Sequence, residues 1–257
     1  MDNSVPSQDG VITVFPGSCY SQNGVPIRMD ANHVKNLNSW VIGNGPTYGG
    51  MASAVTVAAI TWYYIFVIMN PLNGNTEIMF DDNPSGTNVS SGTYTEKRRI
   101  GAFKTRLAGS YGSFTILEMY SIGDHTFIHP TDYYNSGTIF NNSGGINNLY
   151  QTATLTLGSG LALPALNLRA DLNIISDQCD FGLISMYPIQ FTIPSGLVVT
   201  GAYLGEYVFR RYGASYGTAD LAIIVTSANQ IKLAMNAPGG AGSVDIRARG
   251  FHDDRFI

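Results

Sequence analysis

Residues 51–69 carry no charged side chain, and no lysine or arginine stands between Lys35 and Lys97. A stretch of this length and polarity has two physical solutions: a helix that crosses a bilayer, or strands buried on both faces. The residues favour strands. Ser53, Thr56 and Thr61 interrupt the run, its second half is β-branched and aromatic, and no cationic anchor flanks it. It ends in Asn70-Pro71-Leu72-Asn73-Gly74-Asn75, which is turn chemistry. From Ile60, one face reads Ile60, Trp62, Tyr64, Phe66 and Ile68, and the other reads Thr61, Tyr63, Ile65, Val67 and Met69. Both faces are apolar, so this is expected to be a central strand covered on both sides, with Thr76–Phe80 returning as its hairpin partner. No membrane insertion is expected.

The remaining chain points the same way. Only 12% of the 257 residues are charged while 44% are apolar, the reverse of a disordered chain. Gly, Asn and Ser serve tight turns; Thr, Tyr, Val and Ile suit a pleated surface. Short alternating runs between Gly/Asn/Pro/Ser clusters predict strands at Val11–Phe15, Tyr94–Lys104, Ser113–Ile122, Gln151–Leu157, Leu166–Ile174, Ile189–Ile193, Val198–Tyr203, Tyr207–Arg210, Leu221–Thr226, Gln230–Ala234 and Ser243–Gly250. Asp30–Leu37 is the one segment with a helical reading, and Leu155–Leu168 reads as a loop or a single helical turn. The expected class is all-β, a jelly roll or β-sandwich in two β-rich domains with little helix. The domains are 1–140 and 141–257, divided at the linker-like Asn141-Asn142-Ser143-Gly144-Gly145. No period of about 20–50 residues recurs, so solenoids and propellers are excluded.

Several function classes drop out. The net charge is −4, and the Arg98-Arg99 and Arg210-Arg211 pairs are short and lie inside strand-like runs, so no basic face is available to track nucleic acid. Met1-Asp2-Asn3-Ser4 is polar and acidic, unlike a secretory signal. Cys19 and Cys179 have no motif spacing and read as isolated thiols, with their pairing left open. His125 and His129 have helical chelate spacing, but Gly123–Pro130 alternates like a strand, and four strand residues span roughly 13 Å, too far for one metal. Asp124 or Asp132 would be needed as a further ligand; a structural histidine near a strand end is expected instead, and no metal is assigned. Asp253-Asp254, between His252 and Arg255, reads as a solvated or subunit-interface salt link. Asp81-Asp82-Asn83 lacks the ligand ladder of a calcium loop. No nucleophile elbow or phosphate loop occurs; a paired-carboxylate polysaccharide hydrolase stays open as a lesser alternative, although the scattered carboxylates single out no pair. The chain is therefore read as non-enzymatic, with no catalytic residue and no cofactor.

The segment Thr61-Trp62-Tyr63-Tyr64-Ile65-Phe66-Val67-Ile68-Met69-Asn70-Pro71, a polar loop with Pro84-Ser85-Gly86, and then Ser91-Gly92-Thr93-Tyr94-Thr95-Glu96-Lys97-Arg98-Arg99-Ile100-Gly101 together resemble a module of phage tail-fibre, tail-spike and other virion proteins. In that module a Trp-Tyr strand ending in Asn-Pro precedes a loop and an Arg-Arg-Ile-Gly strand. Pro16–Gly24 resembles its opening turn but lacks the usual Arg-Asp pair, and Ile246–Arg255 resembles the closing strand and tail of similar proteins. The resemblance spans residues 10–130 and, more loosely, the rest. It implies a bacteriophage virion component of the tail-fibre, spike or head-appendage type, located in the virion, that meets other virion proteins and self-associates, most often as a trimer. Sparse charge and abundant Tyr, Phe and Met give a separate reason for a homo-oligomer.

Simple alternation along the Arg-Arg-Ile-Gly strand puts Arg98 and Ile100 on one face, with Arg99 and Gly101 on the other. At least one arginine then either leaves the core or pairs with Glu96, Glu118 or Asp124; an edge-strand arginine in solvent is the alternative. Tyr111, Tyr133, Tyr134, Tyr212 and Tyr216 lie in Gly/Ser/Asn-rich stretches. They are the candidate contacts for a host glycan or receptor, or for a neighbouring subunit; ordinary packing at a barrel end is the plainer reading.

Overall fold

The computed structural model describes residues 10–42, 45–89, 92–105, 116, 119–122, 125–128, 138–142, 151–156, 163–164, 166, 168–177, 183–188, 207–210, 217–225, 230–236 and 243–253. Among them there is no α-helix, and the all-β class is what the structure shows. The chain forms two compact units, Met1–Thr126 and Phe127–Ile257.

In the first unit, β1 (Val11–Val14), β4 (His33–Ser39), β5 (Gly49–Met51), β6 (Trp62–Met69), β7 (Thr76–Asp81) and β8 (Glu96–Lys104) build one sheet in the order β1-β4-β5-β7-β6-β8. The uncharged run becomes β6, paired antiparallel with β7 on one side and β8 on the other. Tyr63 through Met69 are all buried, as two apolar faces require. Each such side chain contributes about 1.5–3 kcal/mol relative to exposure, so this strand anchors the unit. Stacked Tyr63 and Phe103, with Phe80 edge-on to Phe103, fill the space beside it. The β6–β7 turn closes as its sequence dictates. Gly74 takes φ +74°, its amide donates to Asn70 O at 2.8 Å, and the Asn70 and Asn73 side chains each accept from the amide two residues on.

β6 begins at Trp62 rather than Ile60, because Ile60 sits at φ +56°, a conformation disfavoured for a β-branched residue. The kink is held by neighbours. The buried Thr105 hydroxyl accepts from Thr61 N–H at 3.0 Å and donates to Ala58 O at 2.6 Å. The Tyr63 hydroxyl accepts from Ala58 N–H at 2.7 Å.

The segment with the helical reading, Asp30–Leu37, instead supplies most of β4. His33 and Lys35 are buried while Val34 is only half-buried, a period of two, and residues 33–36 pair antiparallel with β1. An ordered hairpin, β2 (Gly17–Tyr20) with β3 (Pro26–Met29), replaces the simple opening turn expected at Pro16–Gly24. Its tip docks on the start of β8: Gln22 N–H donates to Lys97 O at 3.1 Å, and Asn23 Nδ2 reaches the Glu96 carboxylate at 3.3 Å.

β9 (Met119–Ile122) and β10 (His125–Ile128) follow as neighbouring strands, so the His125 segment is extended, as its alternation predicts. His129, Asp124 and Asp132 lie outside the described residues.

In the second unit, β13 (Leu168–Asp177) lies between β16 (Gly217–Val225) and β18 (Ser243–Asp253), and β11 (Thr138–Asn142) also pairs with β18. β12 (Gln151–Thr156), β17 (Gln230–Asn236), β14 (Leu183–Pro188) and β15 (Tyr207–Arg210) form a second sheet in that order. Asn141 and Asn142, read from sequence as linker, are ladder residues opposite Asp245 and Val244; Ser143–Gly145 lie outside the described residues. β13 alternates cleanly, with Leu168, Ala170 and Leu172 buried and Arg169, Asp171 and Asn173 on the other face.

Candidate functional site: a buried ionic seam and its surroundings

The first unit's sheet has one weak place, and the register locates it. β5 runs parallel to both neighbours, with Gly49 opposite Asn36 and Met51 opposite Phe80. Continuing both registers one residue below Gly49 brings Lys35 of β4 level with Glu77 of β7, with no strand left between them. The 3-10 turn Gly45–Thr47 leads into β5 there and packs against both strands. Gly49 is required where the strands converge, because a Cβ would land on the carbonyl oxygens of Asn38 and Ser39.

Side chains close the gap. Lys35 is 1% exposed; its Nζ donates to Glu77 Oε2 at 2.7 Å and to Gly45 O at 2.7 Å, tying β4, β7 and the turn together. His33, one strand period earlier, places Nδ1 3.7 Å from the same Oε2. Burial pushes the His33 imidazole below its ordinary range; the Glu77 charge opposes this shift and the Lys35 charge adds to it. Tyr94, packed edge-on against Trp40, is raised by burial and by the Glu77 charge. A buried ion pair of this kind specifies register and partner more than it adds net stability.

Next to the seam, the β7–β8 connection is pinned by the motif cations. Lys97 Nζ donates to Gly86 O at 2.6 Å, and Arg99 Nη1 donates to Pro84 O at 3.0 Å while its guanidinium lies 5.9 Å from the Tyr64 ring centroid. Asp81, fully buried, accepts from Asn83 N–H, Asn88 N–H and Asn88 Nδ2, so its oxygens hold the loop. The expected alternation of Arg98, Arg99, Ile100 and Gly101 is corrected by a bulge. Ile65 faces Gly101 and Phe66 faces Arg99, which leaves Ile100 as the extra residue and places Arg99 and Gly101 on opposite faces. Of the three carboxylates considered for these arginines, Glu96 engages Asn23, while Glu118 and Asp124 lie outside the described residues.

Lys104, at the far end of β8, is a second buried lysine. It is 1% exposed, its Nζ is 5.4 Å from the Trp62 ring centroid, and burial lowers its pKa to about 7. Neither buried lysine was legible as such: in sequence, each is a cation in a half-polar strand.

In the second unit, His252 and Asp171 are half-buried neighbours across β13–β18, with Nε2 and Oδ2 3.6 Å apart. Asp220 accepts from Arg249 at 2.6 Å and Asn173 at 2.8 Å, and these bonds lower its pKa. Asp253, read from sequence as part of a solvated or subunit-interface salt link, is 1% exposed; Asp254 and Arg255 lie outside the described residues. So do Tyr111, Tyr133, Tyr134, Tyr212, Tyr216 and Cys179. Cys19 is a half-buried free thiol whose pKa is raised by burial.

No protein-family model matches the chain, and no curated protein matches it. Among solved structures, a chain from the crystal structure of the T13 IBDV viral particle overlaps 94% of this chain and 64% of its own length, at 11% identity and a TM-score of 0.21.

Proposed function

We propose that this chain is a structural subunit of a bacteriophage virion, of the tail-fibre, spike or head-appendage type, that self-associates and contributes to host attachment. The observation that carries the reading is the phage-type motif pair, which folds into adjoining strands. Trp62–Met69 and Glu96–Gly101 lie side by side in β6 and β8, and the motif's own cations, Lys97 and Arg99, fasten the loop between its halves. Lys97 and Arg99 of the motif thus have a structural use in holding the loop between its halves. Self-association is supported by large apolar side chains left in solvent, including Val41, Ile42 and Tyr48 around the β4–β5 connection. Tyr111, Tyr133, Tyr134, Tyr212 and Tyr216 are the proposed contacts to a host glycan or a neighbouring subunit. No catalytic role, metal or cofactor is part of the proposal.

Immunogold electron microscopy of the source particle tests it, with label expected on a tail or head appendage. Light scattering coupled to gel filtration tests assembly. A trimer mass independent of salt is expected, with an interface above about 1,000 Å². Particles without label would overturn the virion reading; a monomer mass at high protein concentration would overturn self-assembly.

A further inference from the structure

The seam contains a polar atom that its ion pair leaves over. His33 is 6% exposed and its Nδ1 has no hydrogen-bond partner among the described residues, while Glu77 Oε2, the carboxylate oxygen 3.7 Å away, already accepts from Lys35. The charged and titratable groups facing this imidazole are few. On its own strand there is Lys35. From β7 there is Glu77, whose charge also reaches Tyr94. β1, β5 and the turn Gly45–Thr47 contribute no titratable side chain, and Arg28 on β3 is exposed and paired with Asp30. Among the described residues one buried carboxylate therefore balances one buried ammonium, with no second anion facing the imidazole.

We propose that His33 is an acid-operated release for the first unit's sheet: a proton taken up on its imidazole puts a second cation beside Lys35, and β4 separates from β7 along the seam. The proton enters as β4 opens, because water then solvates both cations. The sign follows from burial, which makes the closed state the poorer proton binder. Stability held by the neutral imidazole is complete above the ordinary value of 6.5 and is lost as pH falls below it. One proton limits the effect to about tenfold in the closed-to-open ratio per pH unit. The release does not depend on the virion reading.

Hydrogen–deuterium exchange on the full chain, corrected for intrinsic exchange rates and followed from pH 7.5 to 5, tests it. Protection of residues 33–39 is expected to fall by up to about tenfold per pH unit below about 6.5, while residues 62–69 keep theirs. His33→Asn, which keeps an amide near Nδ1 without titrating, should abolish the acid step, and His33→Phe serves the same purpose if the first variant folds poorly. No acid step in the wild type, an equal loss across residues 62–69, or an undiminished step in a folded variant would each overturn the proposal.

Discussion

The two halves of the first unit's sheet are held by different physics. Around β6, antiparallel ladders run on both sides and the side chains are apolar on both faces. Around β5, pairing is parallel and short, and an ion pair bridges the place where the strand stops. The first half gains stability from area removed from water and tolerates small changes of shape. The second gains specificity from charges that are costly to bury and costlier to separate. A sheet can thus be continuous in outline while its cohesion changes character within a few residues.

Breaking the ion pair should give the largest effect. Lys35→Met leaves Glu77 buried opposite an apolar side chain and is expected to cost about 3–5 kcal/mol, whereas Lys35→Met combined with Glu77→Leu should return to within about 1 kcal/mol of the parent or exceed it. Urea unfolding of the three proteins measures this, and equal costs for the single and double variants would erase the contrast between the halves. A smaller effect separates the lysines. Lys104 binds its proton less well folded than unfolded, so the stability tied to its neutral form is present above about pH 10 and is lost as pH falls towards about 7. Lys104→Met should remove that slope from a series of unfolding midpoints between pH 7 and 10 and raise stability at pH 7 by roughly 1–3 kcal/mol. Smallest of all, Ile65→Val in the apolar half should cost only about 0.5–1.5 kcal/mol, with no dependence on pH. A cost above about 3 kcal/mol there would show the apolar half to be the less forgiving one.

What sequence could see follows from where the deciding partners lie. β6 and β7 were legible because the signal is local: two apolar faces, then Asn-Pro and Asn-Gly within six residues. β8 was legible in extent but not in facing, since a bulge at Ile100 leaves no mark in a pattern of alternation. β4 was misread because Asp30, His33, Val34 and Leu37 fall at helical spacing with an acidic residue at the start; only pairing with β1 and the burial of Lys35 impose a period of two. The seam was invisible for a related reason. Lys35 and Glu77 are separated by 42 positions, and a lysine among polar neighbours looks solvated until the brevity of β5 brings a carboxylate to it.

The parallel placement of β5 also has a consequence for how the chain reaches its fold. β6 and β7 meet through a tight turn, and β8 joins them across a loop that its own cations fasten, so this part can form from nearby contacts. β4 and β7 meet only after the intervening chain has crossed over and set β5 between them, a step that carries a larger loop-closure cost. The seam is therefore expected to close late, after the transition state for folding. Contacts made that late act mainly on how fast the native sheet opens, and little on how fast it forms. Lys35 and Glu77 then govern the lifetime of the assembled sheet, while β6 and its turn govern how quickly it arises.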